Sequence, residues 1–77
     1  MFPNPTKGQV ALSLNLPLET DVNIRVSNVT GQTIREINDN NVMNKTYELD
    51  LREYAAGVYM VRISAFDKVI TKRLIIK

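Results

Sequence analysis

Two pairs of carboxylates stand two residues apart in this chain, Glu19 with Asp21 and Glu48 with Asp50. Such pairs are the raw material of general acid–base chemistry. Their setting argues against that use. Glu48 and Asp50 alternate with Tyr47, Leu49 and Leu51, the pattern of a strand with one wet face. Acids on a wet face keep ordinary pKa values and make poor catalysts. Asp39, inside Asn38-Asp39-Asn40-Asn41, offers oxygen ligands to calcium, but without regular ligand spacing the segment reads as a polar loop. Serines at 13, 27 and 64 fall on predicted strands and have no base to activate them, because the chain contains no His. The absence of Cys removes thiolate nucleophiles, disulfides and Cys-based zinc sites. Gly8, Gly31 and Gly57 are isolated turn glycines, not a phosphate-cradling loop. Asn28-Val29-Thr30 and Asn44-Lys45-Thr46 match the glycosylation triplet, a pattern frequent by chance, and are assigned no role. The residues therefore point to a module that is not an enzyme and needs neither cofactor nor metal.

A chain of 77 residues makes one domain. At that size only about 60% of the unfolded surface is buried, so a deep substrate cleft is not expected. Apolar residues at 44% and charged residues at 23% match ordinary soluble globular domains. The net charge of +2 comes from cations spread along the chain, which excludes the one-sided basic face of a nucleic-acid binder. No apolar run approaches 18 residues, so no membrane span is read, and no secretory leader precedes Phe2. Met1 directly before Phe2-Pro3-Asn4-Pro5, and an end inside Leu74-Ile75-Ile76-Lys77, give the expectation of one domain, 1–77, excised from a longer polypeptide.

Period-two alternation dominates, and no segment carries a helical period. Residues 9–16, with Val10, Leu12, Leu14 and Leu16 on one face, read as a strand that Pro17 ends for want of an amide proton. Residues 21–27 form a second, and Asn28-Val29-Thr30-Gly31 turns the chain into a return strand, 32–37. Ile34 and Ile37 fall on opposite faces of a regular strand there, which a bulge or an edge position reconciles. Residues 47–51, 59–65 and 69–76 supply further strands. The last is apolar on both faces, so it is either covered twice or exposes an apolar edge. Six to seven short strands without a helix predict an all-β, antiparallel immunoglobulin-like β-sandwich lacking the antibody disulfide. Tyr59, just after the corner formed by 52–57, is placed either to bond its hydroxyl back to corner backbone, as in a tyrosine corner, or to serve as a core aromatic. Tyr54 is a candidate cap for the open end.

Two terminal segments are candidates for recognition. Phe2-Pro3-Asn4-Pro5 is a stiff, non-helical lead-in, because each Pro biases its predecessor toward extended geometry. Lys72-Arg73-Leu74-Ile75-Ile76-Lys77 combines β-propensity, apolar side chains and cations. It reads either as the last core strand or as a strand available for addition to a partner sheet. An apolar edge there also admits a weak homodimer.

Four motifs in order resemble a known family: Phe2-Pro3-Asn4-Pro5-Thr6-Lys7-Gly8, then Asn28-Val29-Thr30-Gly31-Gln32, then Leu49-Asp50-Leu51 through Gly57-Val58-Tyr59, and finally Lys72-Arg73-Leu74-Ile75-Ile76. The chain looks like a type A C-terminal sorting domain of the type IX (Por) secretion system of Bacteroidetes. Phe2 stands where Tyr is usual, and Met60 where an aromatic is common. The resemblance implies a β-sandwich without an active site, borne by an exported cargo that reaches the periplasm and then the cell surface or medium. Its implied partners are the outer-membrane machinery, comprising shuttle protein, translocon and a sortase that cuts upstream. Carried over by position, Gly57, Val58 and Tyr59 together with Lys72, Arg73, Leu74, Ile75, Ile76 and Lys77 are the expected recognition residues. Phe2, Pro3, Asn4, Pro5 and Gly8 mark the lead-in. The competing expectation is a carbohydrate-binding or adhesive β-sandwich of a surface protein, although sugar binders usually present an aromatic platform and aromatics make up only 6% here.

Overall fold

The computed structural model describes residues 7–77. Alternating apolar residues become four antiparallel strands: β1 (Gln9–Asn28), β2 (Thr33–Asp50), β3 (Gly57–Ala65) and β4 (Lys68–Ile76). No helix is present among the described residues. The strands form one sheet in the order β2-β1-β3-β4, two hairpins joined along the β1–β3 ladder.

Four strands replace the expected six to seven because two of them are long. The segments 9–16 and 21–27 are arms of the single strand β1, and 33–37 and 47–51 are arms of β2. Pro17 does not end β1. The ladder jumps from Asn15↔Asn44 to Thr20↔Val42, leaving residues 16–19 unpaired opposite residue 43. Pro17 sits in that bulge, where a missing amide proton forfeits no ladder bond. The polar loop expected at 38–41 is also strand: Asn38 pairs with Asn23 and Asp39 with Val22. Asn23 Nδ2 donates to Asn38 Oδ1 at 2.7 Å, and Asn41 absorbs the kink at φ +56°. Asn tolerates that left-handed geometry better than most residues.

These irregularities bend the sheet. Twenty extended residues would span roughly 66 Å, yet the longest dimension of the molecule is 35 Å. β1 and β2 must therefore fold back at 16–19 and 40–43. Both arms feed one buried cluster, with Val10, Leu12 and Leu49 from one and Val22, Ile24 and Val26 from the other, joined by Leu51 and by Val61 of β3 and Leu74 of β4. Leu51, Val26, Val61 and Leu74 are fully buried, which an uncovered single layer does not achieve.

The turn at 28–31 forms as expected. Gly31 takes φ +89°, and Asn28 Oδ1 accepts from Thr30 N, Thr30 Oγ1 and Gln32 N. The ladder step from Val26↔Arg35 to Ser27↔Thr33 makes Ile34 an extra, bulged residue on an edge strand. Ile34 and Ile37 thereby both pack against the core.

Candidate recognition edge

The two recognition segments read from the sequence lie side by side. Gly57 pairs with Ile76, Val58 with Ile75 and Tyr59 with Leu74, so residues 57–59 and 74–76 form the open end of the β3–β4 hairpin. A two-residue turn at Phe66 and Asp67 closes the other end. β3 is anchored by Tyr59, which is buried and donates its hydroxyl to the Ala55 carbonyl at 2.5 Å. The tyrosine-corner bond is thus made, and the ring also serves the core. Tyr54 packs against the core and donates to the Ile34 carbonyl at 3.0 Å, tying the corner to the edge of β2.

Along β4 the inward row divides. Leu74 and Ile76 are buried, whereas Ile70 is 54% exposed and Lys72 is exposed. On the outward row Ile75 is half-buried, and Arg73 and Val69 are exposed. Lys77 follows the strand and is exposed. β4 ends the order of the described strands, and its first half, with Val69 and Ile70, is exposed. The apolar strand therefore exposes part of its surface instead of being covered twice. Val69 and Ile70, whose signal is the doubly apolar pattern of 69–76, and Phe66 in the turn are exposed hydrophobic residues that the sequence reading does not single out. Lys68 adds a fourth cation to Lys72, Arg73 and Lys77, with Asp67 in the adjoining turn as the acid nearest in sequence.

Of the lead-in residues, Phe2, Pro3, Asn4 and Pro5 lie outside the described residues. Gly8 is buried at φ +118°, and a Cβ on it would stand 2.8 Å from the Arg52 Cα. Its carbonyl accepts from Leu51 N at 2.6 Å, closing β1 onto the end of β2. Only glycine fits this approach.

The carboxylates are committed to structural partners. Asp50 bonds Arg52 through Nε at 2.9 Å and Nη2 at 2.8 Å, and this guanidinium lowers its pKa to about 2. Asp39, the candidate calcium ligand, accepts from Lys45 Nζ, from the Tyr47 hydroxyl at 2.9 Å and from Asn40 N. Lys45 contributes most to its lowered pKa. Burial, reinforced by Asp39, pushes Tyr47 up to about 12. The amide of Asn23, then Arg25, lowers Glu36. Glu48 is exposed, as its alternation requires. Among the described residues no group of three or more acidic side chains could hold a metal ion. Among them, too, no helix is long and apolar enough to cross a membrane.

An all-β module whose terminal hairpin presents a cationic, partly apolar edge suits a protein that is read by others. The chain belongs to the family of secretion system C-terminal sorting domains, those of the type IX (Por) system, whose sequence model matches residues 1–77. Membership makes it a C-terminal sorting signal, which implies an upstream cargo, contact with secretion machinery and export toward the cell surface or extracellular space. Domains of this family are generally non-catalytic. No curated protein matches the chain at a significant level.

Proposed function

We propose that the domain directs an exported cargo from the periplasm across the outer membrane, and that the machinery reads the β3–β4 edge. Family membership over the whole chain carries this reading. The pairing of 57–59 with 74–76 supports placing recognition there, since one surface then holds both segments. Lys72 and Lys77 give that surface charge for steering, and Val69 and Ile70 give it apolar area. Cleavage upstream by a surface sortase would then separate cargo from signal. We read the bent sheet as the immunoglobulin-like sandwich of such domains. Weak self-association through β4 belongs to the same proposal, opposed by its own cations.

No observation favours a sugar-binding role. Tyr47, Tyr54 and Tyr59 all turn their hydroxyls onto protein acceptors, which leaves Phe66 as the single exposed aromatic among the described residues, too few for a platform.

The test places residues 2–77 behind a signal peptide and a reporter in a host with the type IX system. Surface display of the reporter is expected. Removing residues 72–77 should strand it in the periplasm. Because that deletion also removes Leu74 and Ile76 from the core, the paired variant Lys72→Glu with Lys77→Glu is needed, as both residues are exposed. Retention of this folded variant supports reading at the edge, and normal display refutes it.

A further inference from the structure

On the sheet face opposite the core, beneath the 28–31 turn, lies a groove of about 320 Å³. Its walls include Arg25, Ser27, Thr33, Met60, Arg62 and Thr71, and no acidic residue lines it. Its volume is at the small end of ligand pockets.

The ladder explains why the groove is basic. Arg25 on β1 is the direct partner of Arg62 on β3, and Arg62 is the direct partner of Thr71 on β4. Two guanidiniums thus project from facing positions of adjacent strands, about 5 Å apart at Cβ, an arrangement that destabilises a sheet. On the other side of Arg25 stands Glu36, which accepts from Arg25 Nε at 3.3 Å and Nη2 at 2.9 Å through one oxygen, Oε2. Asn23 Nδ2 donates to the same oxygen at 2.9 Å. The ion pairs among the described residues are Arg25–Glu36, Lys45–Asp39 and Arg52–Asp50, so none neutralises Arg62. Across the four strands the row reads carboxylate, guanidinium, guanidinium, hydroxyl.

We propose that this groove binds an oxyanion, a phosphate or a small phosphate monoester, seated between Arg25 and Arg62. Guanidinium forks match phosphate oxygens in shape as well as charge. Arg62 supplies its whole fork, and Arg25 supplies Nη1, the nitrogen that Glu36 does not occupy. The hydroxyls of Ser27 and Thr71 serve the remaining oxygens. A bound dianion turns the repulsion across the β1–β3 ladder into a bridge between the two hairpins. The proposal stands apart from recognition at the β4 edge and does not depend on it.

The experiment is an amide and arginine side-chain NMR titration of the chain with inorganic phosphate, against sodium chloride at equal ionic strength. Saturable shifts at Arg25, Arg62, Ser27 and Thr71 are expected. Arg62→Gln should weaken binding at least about tenfold, the loss of one charge-assisted contact. Arg62→Lys, keeping charge but not the fork, should fall between, and Lys68→Gln, outside the groove, should bind as the parent does. Phosphate should raise the Tm of the parent and not that of Arg62→Gln. Glycerol 1-phosphate separates the sources: equal binding admits an ester such as a lipid headgroup, and weaker binding restricts the ligand to free phosphate. Unsaturable shifts spread over Lys68, Lys72 and Lys77, or unchanged affinity in Arg62→Gln, would overturn the proposal.

Discussion

Val61 and Val69 sit on the two strands of one hairpin and differ in what covers them. Val61 is 0% exposed and Val69 is 59% exposed. Val→Thr is nearly isosteric and keeps the β-branch, so the same change at both sites isolates burial from strand propensity. At Val61 the new hydroxyl meets only apolar neighbours and lacks a partner, at about 1–3 kcal/mol on mutational scales. A lost apolar methyl adds somewhat under 1 kcal/mol. The sum, about 2–4 kcal/mol, is large beside the total of about 4–12 kcal/mol expected for a domain this size. At Val69 the hydroxyl meets water, and a change within about 0.5 kcal/mol is expected. Urea unfolding followed by far-UV circular dichroism and tyrosine fluorescence measures both, since the chain has no Trp. The midpoint should fall for Val61→Thr with little change in slope. Equal effects at the two sites would mean that the inner row of β3 is not covered, and the sheet does not close over its own core.

Other outcomes follow from the same geometry. Gly8→Ala should destabilise by about 2 kcal/mol or more in a thermal melt, through positive φ and collision with Arg52 backbone. Phe66 holds φ +57° at the first position of a two-residue hairpin turn, where glycine is preferred. Phe66→Gly should therefore leave stability unchanged or raise it by up to about 1 kcal/mol, and a loss would show that the ring has a packing role. Tyr59→Phe removes the hydroxyl bond to Ala55 and should lower stability by about 1 kcal/mol in the same melt. The folded pKa of Asp50, Asp39 and Glu36 is depressed, so their stabilisation is present above the ordinary carboxylate range and lost as pH falls below it, for Asp50 through about 2. Salt should shrink this acid limb, since the three carboxylates are near solvent. Tyr47 is raised, so its stabilisation holds below about pH 10 and disappears as pH rises through about 12.

Much of the fold was legible because it is local. Alternation marked the inward rows, the Asn28–Gly31 turn declared itself, and the mismatch of Ile34 with Ile37 pointed to a bulge that the ladder contains. Tyr59 was legible because a tyrosine following a glycine corner has backbone within reach. Strand continuity was not. Pro17 and the Asn run at 38–41 carry local signals for stopping, and only pairing between β1 and β2 overrides them. Sequence also gave no sign that Arg25 faces Arg62, since that contact depends on a register linking positions 37 residues apart (62 − 25). The exposure of Ile70 beside the burial of Leu74 is likewise decided by tertiary packing, which periodicity does not encode.

The joint between the two hairpins has a kinetic consequence. Each hairpin closes between neighbours in sequence, but β1 meets β3 through seven residue pairs, from Val22↔Ala65 to Asn28↔Tyr59. All of those pairs join residues distant in sequence, and non-local pairing sets slow folding, in the range of milliseconds to seconds for all-β domains. The halves are therefore expected to form early and meet late. Substitutions along that seam should slow refolding, and so should those that weaken either hairpin before the halves meet.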